Sequence, residues 1–213
     1  MTATTTYDYI TDPQAIYDKS FATVRAEADF SGLPENLHEV AVRLIHACGM
    51  TDICDDLSYS DDVVSSVKSA LAAGKPVITD VRMVAEGIIR NRLPSDNVVI
   101  CTLNDASVSD HARTTRNTRS AAAVDLWGDN LAGAVVAIGN APTALFRLLE
   151  ILHQGAPKPA AILGFPVGFV GAVESKDALI ERAGDVPYMT LRGRRGGSAM
   201  AAAAVNAMAG EPA

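Results

Sequence analysis

The sequence predicts a single α/β domain, with a mostly parallel sheet flanked by helices and two N-terminal helices packed on it. Three observations carry this. The chain has 213 residues, 48% of them hydrophobic, enough to close one core without disulfides or structural metal. From Pro76 onward, short apolar runs alternate with helical segments, the rhythm of βαβ units. Several of those runs are near-continuous Val, Ile and Ala, as in strands buried on both faces. No repeat, linker or charge block divides the chain, so residues 1–213 read as one domain, with flexible ends expected at 1–8 and 210–213.

Taken in order, Asp12-Pro13 opens a helix, Asp as N-cap and Pro at the first helical position. It runs to about Ala28, and Gly32 and Pro34 break and restart the chain. Pro34–Cys48 is amphipathic and stops at Gly49, the usual left-handed C-cap residue. Leu57–Ser60 reads as a short strand, and Asp61 or Asp62 caps a helix running to Ala73. Strands follow at Pro76–Thr79, Asn97–Thr102, Gly133–Ile138, Ala160–Gly164 and Pro187–Leu191. Between and after them lie helices at Val81–Arg90, Asp110–Trp127, Pro142–His153, Ser175–Ala183 and Ser198–Met208.

Composition excludes several classes. A net charge of -7 makes nucleic acid and anionic membranes poor partners. No uncharged apolar run approaches the roughly 20 residues of a membrane span. The N-terminus MTATTTYDYITDP lacks the basic and apolar regions of a secretory signal, so a cytoplasmic location is expected. Cys48, Cys54 and Cys101 form neither an even disulfide set nor a C-x-x-C pair, and read as free thiols. No phosphate loop, dinucleotide fingerprint, H-x-x-x-H pair or G-x-S-x-G nucleophile turn occurs. Ser198 after Gly196-Gly197 is more simply a helix cap.

In an open parallel sheet, ligands bind beyond the carboxyl ends of the strands. The unusual segments all sit there: Thr79-Asp80-Val81-Arg82-Met83, Cys101–Asp105, Gly139-Asn140-Ala141-Pro142-Thr143, Gly164–Gly171 and Gly193–Ser198. Glycine permits close backbone approach, and helix-start amides favour anions; tight turns alone would also account for any one of these loops. Arginine suits carboxylates through its planar fork. Two groups qualify: Arg113, Arg116 and Arg119 on one helix, and Arg192, Arg194 and Arg195 in the last loop. At three-residue spacing the first group drifts around its helix, and Arg119, beside Asn117, Thr118 and Ser120, is the better binder. Among the histidines His46 stands out, one turn before a helix stop. That position favours the protonated imidazole by ~0.3–1 kcal/mol, whereas burial opposes it. Both a capping role and proton transfer near neutrality fit the position. His38, His111 and His153 read as exposed helix residues.

A set of motifs, in order and at compatible spacing, makes the chain recognisable. They are Ser20-Phe21 with Arg25-Ala26-Glu27, Leu44–Gly49, Thr79-Asp80 with Met83-Val84, Thr118-Arg119-Ser120, and Gly139–Leu145. Pro166–Val170 with Glu174-Ser175-Lys176, and Gly193 with Gly196-Gly197-Ser198, complete it. From about Tyr9 to Ala209 the chain resembles the precorrin-8X methylmutase family of cobalamin biosynthesis. The resemblance implies an isomerase that moves a methyl group from C11 to C12 of a tetrapyrrole, giving hydrogenobyrinic acid or its cobalt counterpart. It implies a homodimer with substrate near the interface, and no organic cofactor or protein-bound metal. The family's catalytic histidine falls on His46 and its substrate-contacting serine on Ser20. Tyr17, Asp80, Met83, Thr118, Arg119, Asn140 and Arg195 are expected to line the substrate site. Family members often carry Gly before the Asn-Thr-Arg-Ser run, where this chain has Arg116. A non-catalytic tetrapyrrole carrier, and a hydrolase or lyase on a generic sheet, are the competing classes. An intact His46 speaks against the first, and the missing nucleophile motif against the second.

Overall fold

The computed structural model describes residues 7–210. Residues 1–6 and 211–213, and with them most of the expected flexible ends, lie outside that range. Asp12 and Pro13 open α1 (Pro13–Glu27), the Asp12 carboxylate accepting from the Ala15 amide at 2.7 Å. The chain re-enters helix in α2 (Glu35–Cys48), which Gly49 ends in the left-handed conformation, φ 71°. Leu37, Val40, Ala41, Leu44 and Ile45 recur at helical spacing and are all buried, each Leu, Ile or Val contributing about 1.5–3 kcal/mol by leaving water.

The remaining elements are β1 (Leu57–Tyr59), α3 (Val63–Ala72), β2 (Val77–Thr79), α4 (Arg82–Gly87), β3 (Val99–Ile100), α5 (Val108–Thr115) and α6 (Arg119–Val124). After them come β4 (Val135–Ile138), α7 (Pro142–His153), β5 (Ala161–Gly164), α8 (Ala172–Arg182), β6 (Tyr188–Leu191) and α9 (Ser198–Met208). The strands form one sheet in the order β1-β6-β5-β4-β2-β3, parallel throughout except for β1, which runs antiparallel to β6. Strand side chains alternate between faces. Val77, Val135, Ala137, Ala161 and Leu163 join a core with α1, α2, α3 and α9. Ile78, Val136, Ile138 and Ile162 join a second core with α7, α8 and Trp127. The two N-terminal helices therefore pack on the sheet through α9, as expected. Among the described residues no helix is long and apolar enough to cross a membrane, and the three cysteines are free thiols.

Helix α9 owes its place to small residues. A Cβ on Gly139 would lie 2.7 Å from the Ser198 Cα and 2.9 Å from the Ala201 Cβ. One on Gly87 would lie 2.8 Å from the Ala202 Cβ. Only glycine opposite alanine lets the backbones approach this closely.

Several boundaries differ from the sequence reading. The helix expected over Asp110–Trp127 is two, α5 and α6, parted at Arg116, which is left-handed at φ 53°. The Thr118 hydroxyl then caps α6, accepting from the Ala121 amide at 3.1 Å. A side chain that can satisfy a free helix amide here outcompetes helical continuity. The strand expected over Asn97–Thr102 shrinks to Val99–Ile100, and the Asn97 side-chain amide before it donates to the carbonyls of Leu71 and Lys75, each at 2.8 Å. The helix expected over Val81–Arg90 stops at Gly87, and a 3-10 turn follows at Arg90–Arg92. Helix α8 begins at Ala172, three residues before the expected Ser175. A 3-10 turn at Thr51–Asp56 had no counterpart in the sequence reading.

Candidate active site

His46 lies in the last turn of α2 and is exposed. Its Nδ1 is 2.9 Å from the Ser20 Oγ of α1. Tyr17, Ser20 and Phe21 stand at i, i+3 and i+4, so one stripe of α1 faces His46. The Phe21 ring centroid is 4.9 Å from the imidazole and Tyr17 stacks on Phe21 at 4.2 Å. The Arg43 guanidinium lies 5.4 Å from the Phe21 centroid, and Arg25 pairs with Glu39 at 2.7 Å, bracing α1 against α2. The imidazole Nε2 has no hydrogen-bond partner among the described residues.

His46 and Tyr17 open onto a cleft of about 320 Å³ lined by Gly87 at the end of α4, by Ile89 and Arg92 after it, and by Ala199, Ala202 and Ala203 of α9. Asn206 holds this wall, donating to the Gly87 carbonyl and accepting from the Ile89 amide, each at 2.9 Å. A larger groove of about 670 Å³ between α7 and α8 contains none of the expected site residues.

The β4–α7 loop forms the next part of the rim. Asp80 is 3% exposed, and its two carboxylate oxygens accept from the amides of Gly139, Asn140 and Ala141 at 2.8–2.9 Å. Burial outweighs those amides and lifts its carboxyl above the usual range. Both Asp80 oxygens thus face the loop backbone and brace it. Ala141 occupies the N-cap of α7 without a capping side chain, and Asp80 accepts from its amide. Asn140 itself is exposed, and Met83 is 74% exposed one turn before Gly87 on α4. The Thr118 hydroxyl donates to the Thr143 Oγ1 at 2.8 Å. Arg119 is exposed and donates to the Leu103 carbonyl at 3.2 Å.

The last-loop arginines diverge instead of converging. Arg192 reaches the Ser58 Oγ at 3.5 Å, and Arg194 sits 5.3 Å from the Phe169 ring centroid. Arg195 pairs with Asp52 at 2.9 Å and with Asp56, both in the unanticipated 3-10 turn. Those carboxylates hold the Arg195 guanidinium above its usual range, and it is a strut of the loop in this geometry rather than a free carboxylate fork. His38 and His111, expected to be exposed, are half-buried and bonded to the Leu33 carbonyl and to Asp125. Burial pushes the Cys48 thiol up, so it supplies no thiolate beside His46. Among the described residues no group of three or more His, Cys, Asp and Glu could hold a metal ion.

The structure thus joins Tyr17, Ser20 and His46 in one cluster and sets Met83, Thr118, Arg119 and Asn140 along the carboxyl edge of the sheet. Helix α9 links the two, with Ser198 against Gly139 and Ala199 in the His46 cleft. Sequence reasoning missed Arg43, Arg92 and Asn206 as residues lining the His46 cleft. The one polar residue in the alanine run of α9 was the available sign for Asn206.

Comparison with known proteins agrees with this architecture. The CbiC family model, precorrin-8X methylmutase, matches residues 15–211. A Pseudomonas aeruginosa protein named precorrin-8X methylmutase is 61% identical, over 96% of this chain and 98% of its own length. A Sinorhizobium protein of the same name is 59% identical, over 95% and 97%. The crystal structure of precorrin-8X methylmutase from Thermus thermophilus superposes with a TM-score of 0.83 at 38% identity, covering 92% of this chain and 94% of that one. On sequence and fold together, this chain belongs to the precorrin-8X methylmutase family.

Proposed function

We propose that the chain is the isomerase that converts precorrin-8X to hydrogenobyrinic acid, with His46 donating and recovering the one proton the reaction needs. The observation that carries this is the His46–Ser20 pair at the open edge of the cleft. As imidazolium, His46 donates Nδ1–H to the Ser20 Oγ and leaves Nε2–H for the macrocycle. Protonation makes the migration terminus electron-poor, the methyl group moves from C11 to C12 with its bonding pair, and the proton returns to Nε2. Atoms and electrons balance without a redox partner. Ser20 keeps the second proton on Nδ1 throughout, so the recovering lone pair stays on the cleft side.

The metal-free substrate is favoured by the relatives. The two at 61% and 59% identity are named for precorrin-8X, whereas a Priestia megaterium relative at 32% is named cobalt-precorrin-8 methylmutase. Arg43 beside the cleft and Arg119 on the rim are cations that suit the carboxylate arms of the substrate. The protein works as a cytoplasmic homodimer, for which Met83, Phe169 and Val170, 74–88% exposed, supply apolar contact surface.

The test is an absorbance time course with metal-free precorrin-8X, wild type beside His46→Ala. The expected result is conversion by wild type alone, with the variant still binding the pigment. Binding without conversion by both proteins would mean a carrier, and no binding would refute the assignment.

A further inference from the structure

Lys176 is the one lysine among the described residues with no exposed surface, at 0%. It sits in α8, in the second core-facing position after Ala172. Burying an ammonium is costly unless its donors are used, and this one donates to a single main-chain atom, the Arg195 carbonyl, at 2.7 Å. That carbonyl belongs to the segment leading into α9. The same segment is tied elsewhere. The Gly168 amide donates to the Arg194 carbonyl at 3.2 Å and the Gly197 amide to the Phe165 carbonyl at 2.8 Å. A Cβ on Gly196 would run into the carbonyls of Phe165 and Pro166. From the outside, Asp52 and Asp56 hold the Arg195 guanidinium. Residues 194–197 are therefore clamped between a buried cation below and two carboxylates above, and they deliver Ser198 and Ala199 to the rim and the cleft.

We propose that Lys176 is a positioning residue for the isomerisation: its buried ammonium holds the Arg195 carbonyl, and so fixes residues 194–197 and the first turn of α9 where the substrate docks. The inference rests on the isomerase reading above. Lys176 touches neither His46 nor the cleft, so its charge governs binding of the macrocycle and not the proton transfer.

The charged groups around it are Asp177 on its own helix and Asp56 on the 3-10 turn, both of which favour the ammonium. Burial outweighs them and lowers its pKa to about 8. The clamp is then about 90% charged at pH 7 and about 10% at pH 9.

The experiment compares wild type with Lys176→Met and, in case the first fails to fold, Lys176→Gln. Steady-state kinetics are measured from pH 7 to 9, and hydrogen exchange is followed at the Gly168 and Gly197 amides, corrected for intrinsic rate. At pH 7 the expected result is a KM raised about tenfold or more with kcat within about threefold, and protection of both amides lowered by a similar factor. Wild-type KM climbs toward the variant value with a midpoint near pH 8, while the variant profile stays flat. A folded variant with wild-type KM, or a loss confined to kcat, overturns the proposal. So does a wild-type KM flat across that window, because a merely structural lysine would alter stability without tying KM to pH. Should wild type show no turnover, the isomerase reading fails by itself, and unchanged amide protection in the variant would then separately overturn the clamp.

Discussion

Asp80 separates a residue that touches substrate from one that shapes the surface substrate meets. Replacing it by Asn keeps the volume and removes the charge. In the wild type one oxygen accepts from Gly139 and the other from both Asn140 and Ala141. The Asn oxygen can serve the latter pair, but its NH2 group then meets the Gly139 amide, donor against donor. A bond to a charged acceptor contributes about 1.5–3 kcal/mol and a buried unsatisfied amide costs about 1–3 kcal/mol. Relief from burying a carboxylate offsets part of this, leaving a net loss of about 2–4 kcal/mol. For a chain of this size each kcal/mol lowers Tm by about 2–4 °C, so thermal unfolding by circular dichroism should fall by about 5–15 °C. Asp80→Ala, which orphans all three amides, should fall further. A Tm within 1 °C of wild type combined with a raised KM would refute the reasoning, for it would mean that the carboxylate reaches the substrate and that the loop stands without it.

Three further outcomes are expected. Ser20→Ala loses one hydrogen bond that orients His46, about 1.4 kcal/mol, and kcat should drop about tenfold with the pigment still bound; an unchanged kcat would show that Ser20 does not hold the imidazole. Arg116→Gly relieves a non-glycine residue held at φ 53°, and denaturant unfolding should show a gain of about 0.5–1 kcal/mol, with a loss counting against strain at that joint. For Lys176 the folded pKa of about 8 lies below the ordinary 10.5, so between those values the unfolded chain binds more protons and stability rises with pH. The gap corresponds to roughly 3 kcal/mol, and wild type should gain that much on Lys176→Met between pH 7.5 and 10.5; parallel curves would contradict it.

Local chemistry made much of the fold legible. Asp12-Pro13, Gly49 and the Pro142 start are signals confined to a few residues, and the elements they bound fall where expected. The break at Arg116 was not legible, because nothing in an arginine announces a left-handed backbone; the family's frequent Gly at that place was the clue. The resemblance singled out His46 and Ser20 separately, but their hydrogen bond across 26 residues of sequence was not legible. The protein partners of Asp80 and Arg195 were not legible, and for one reason. Polar residues in rim loops look alike whether they face a ligand or brace the loop, and only the partners of their oxygens and nitrogens distinguish the two.

Gly139 and Gly87 receive α9 at two notches, Ser198 and Ala201 at the first and Ala202 at the second, and Asn206 pins its far end to the chain leaving α4. From Ser198 to Asn206 is eight residues, about 12 Å of helix. Inserting or deleting one residue between them would rotate everything beyond by about 100°, carrying the Asn206 amide away from Ile89 while the notches hold the first turns in place. The length of this stretch is thus a gauge block between the two halves of the site. Across descendants of this gene, point changes to other small residues should be tolerated there, whereas changes in length should be absent.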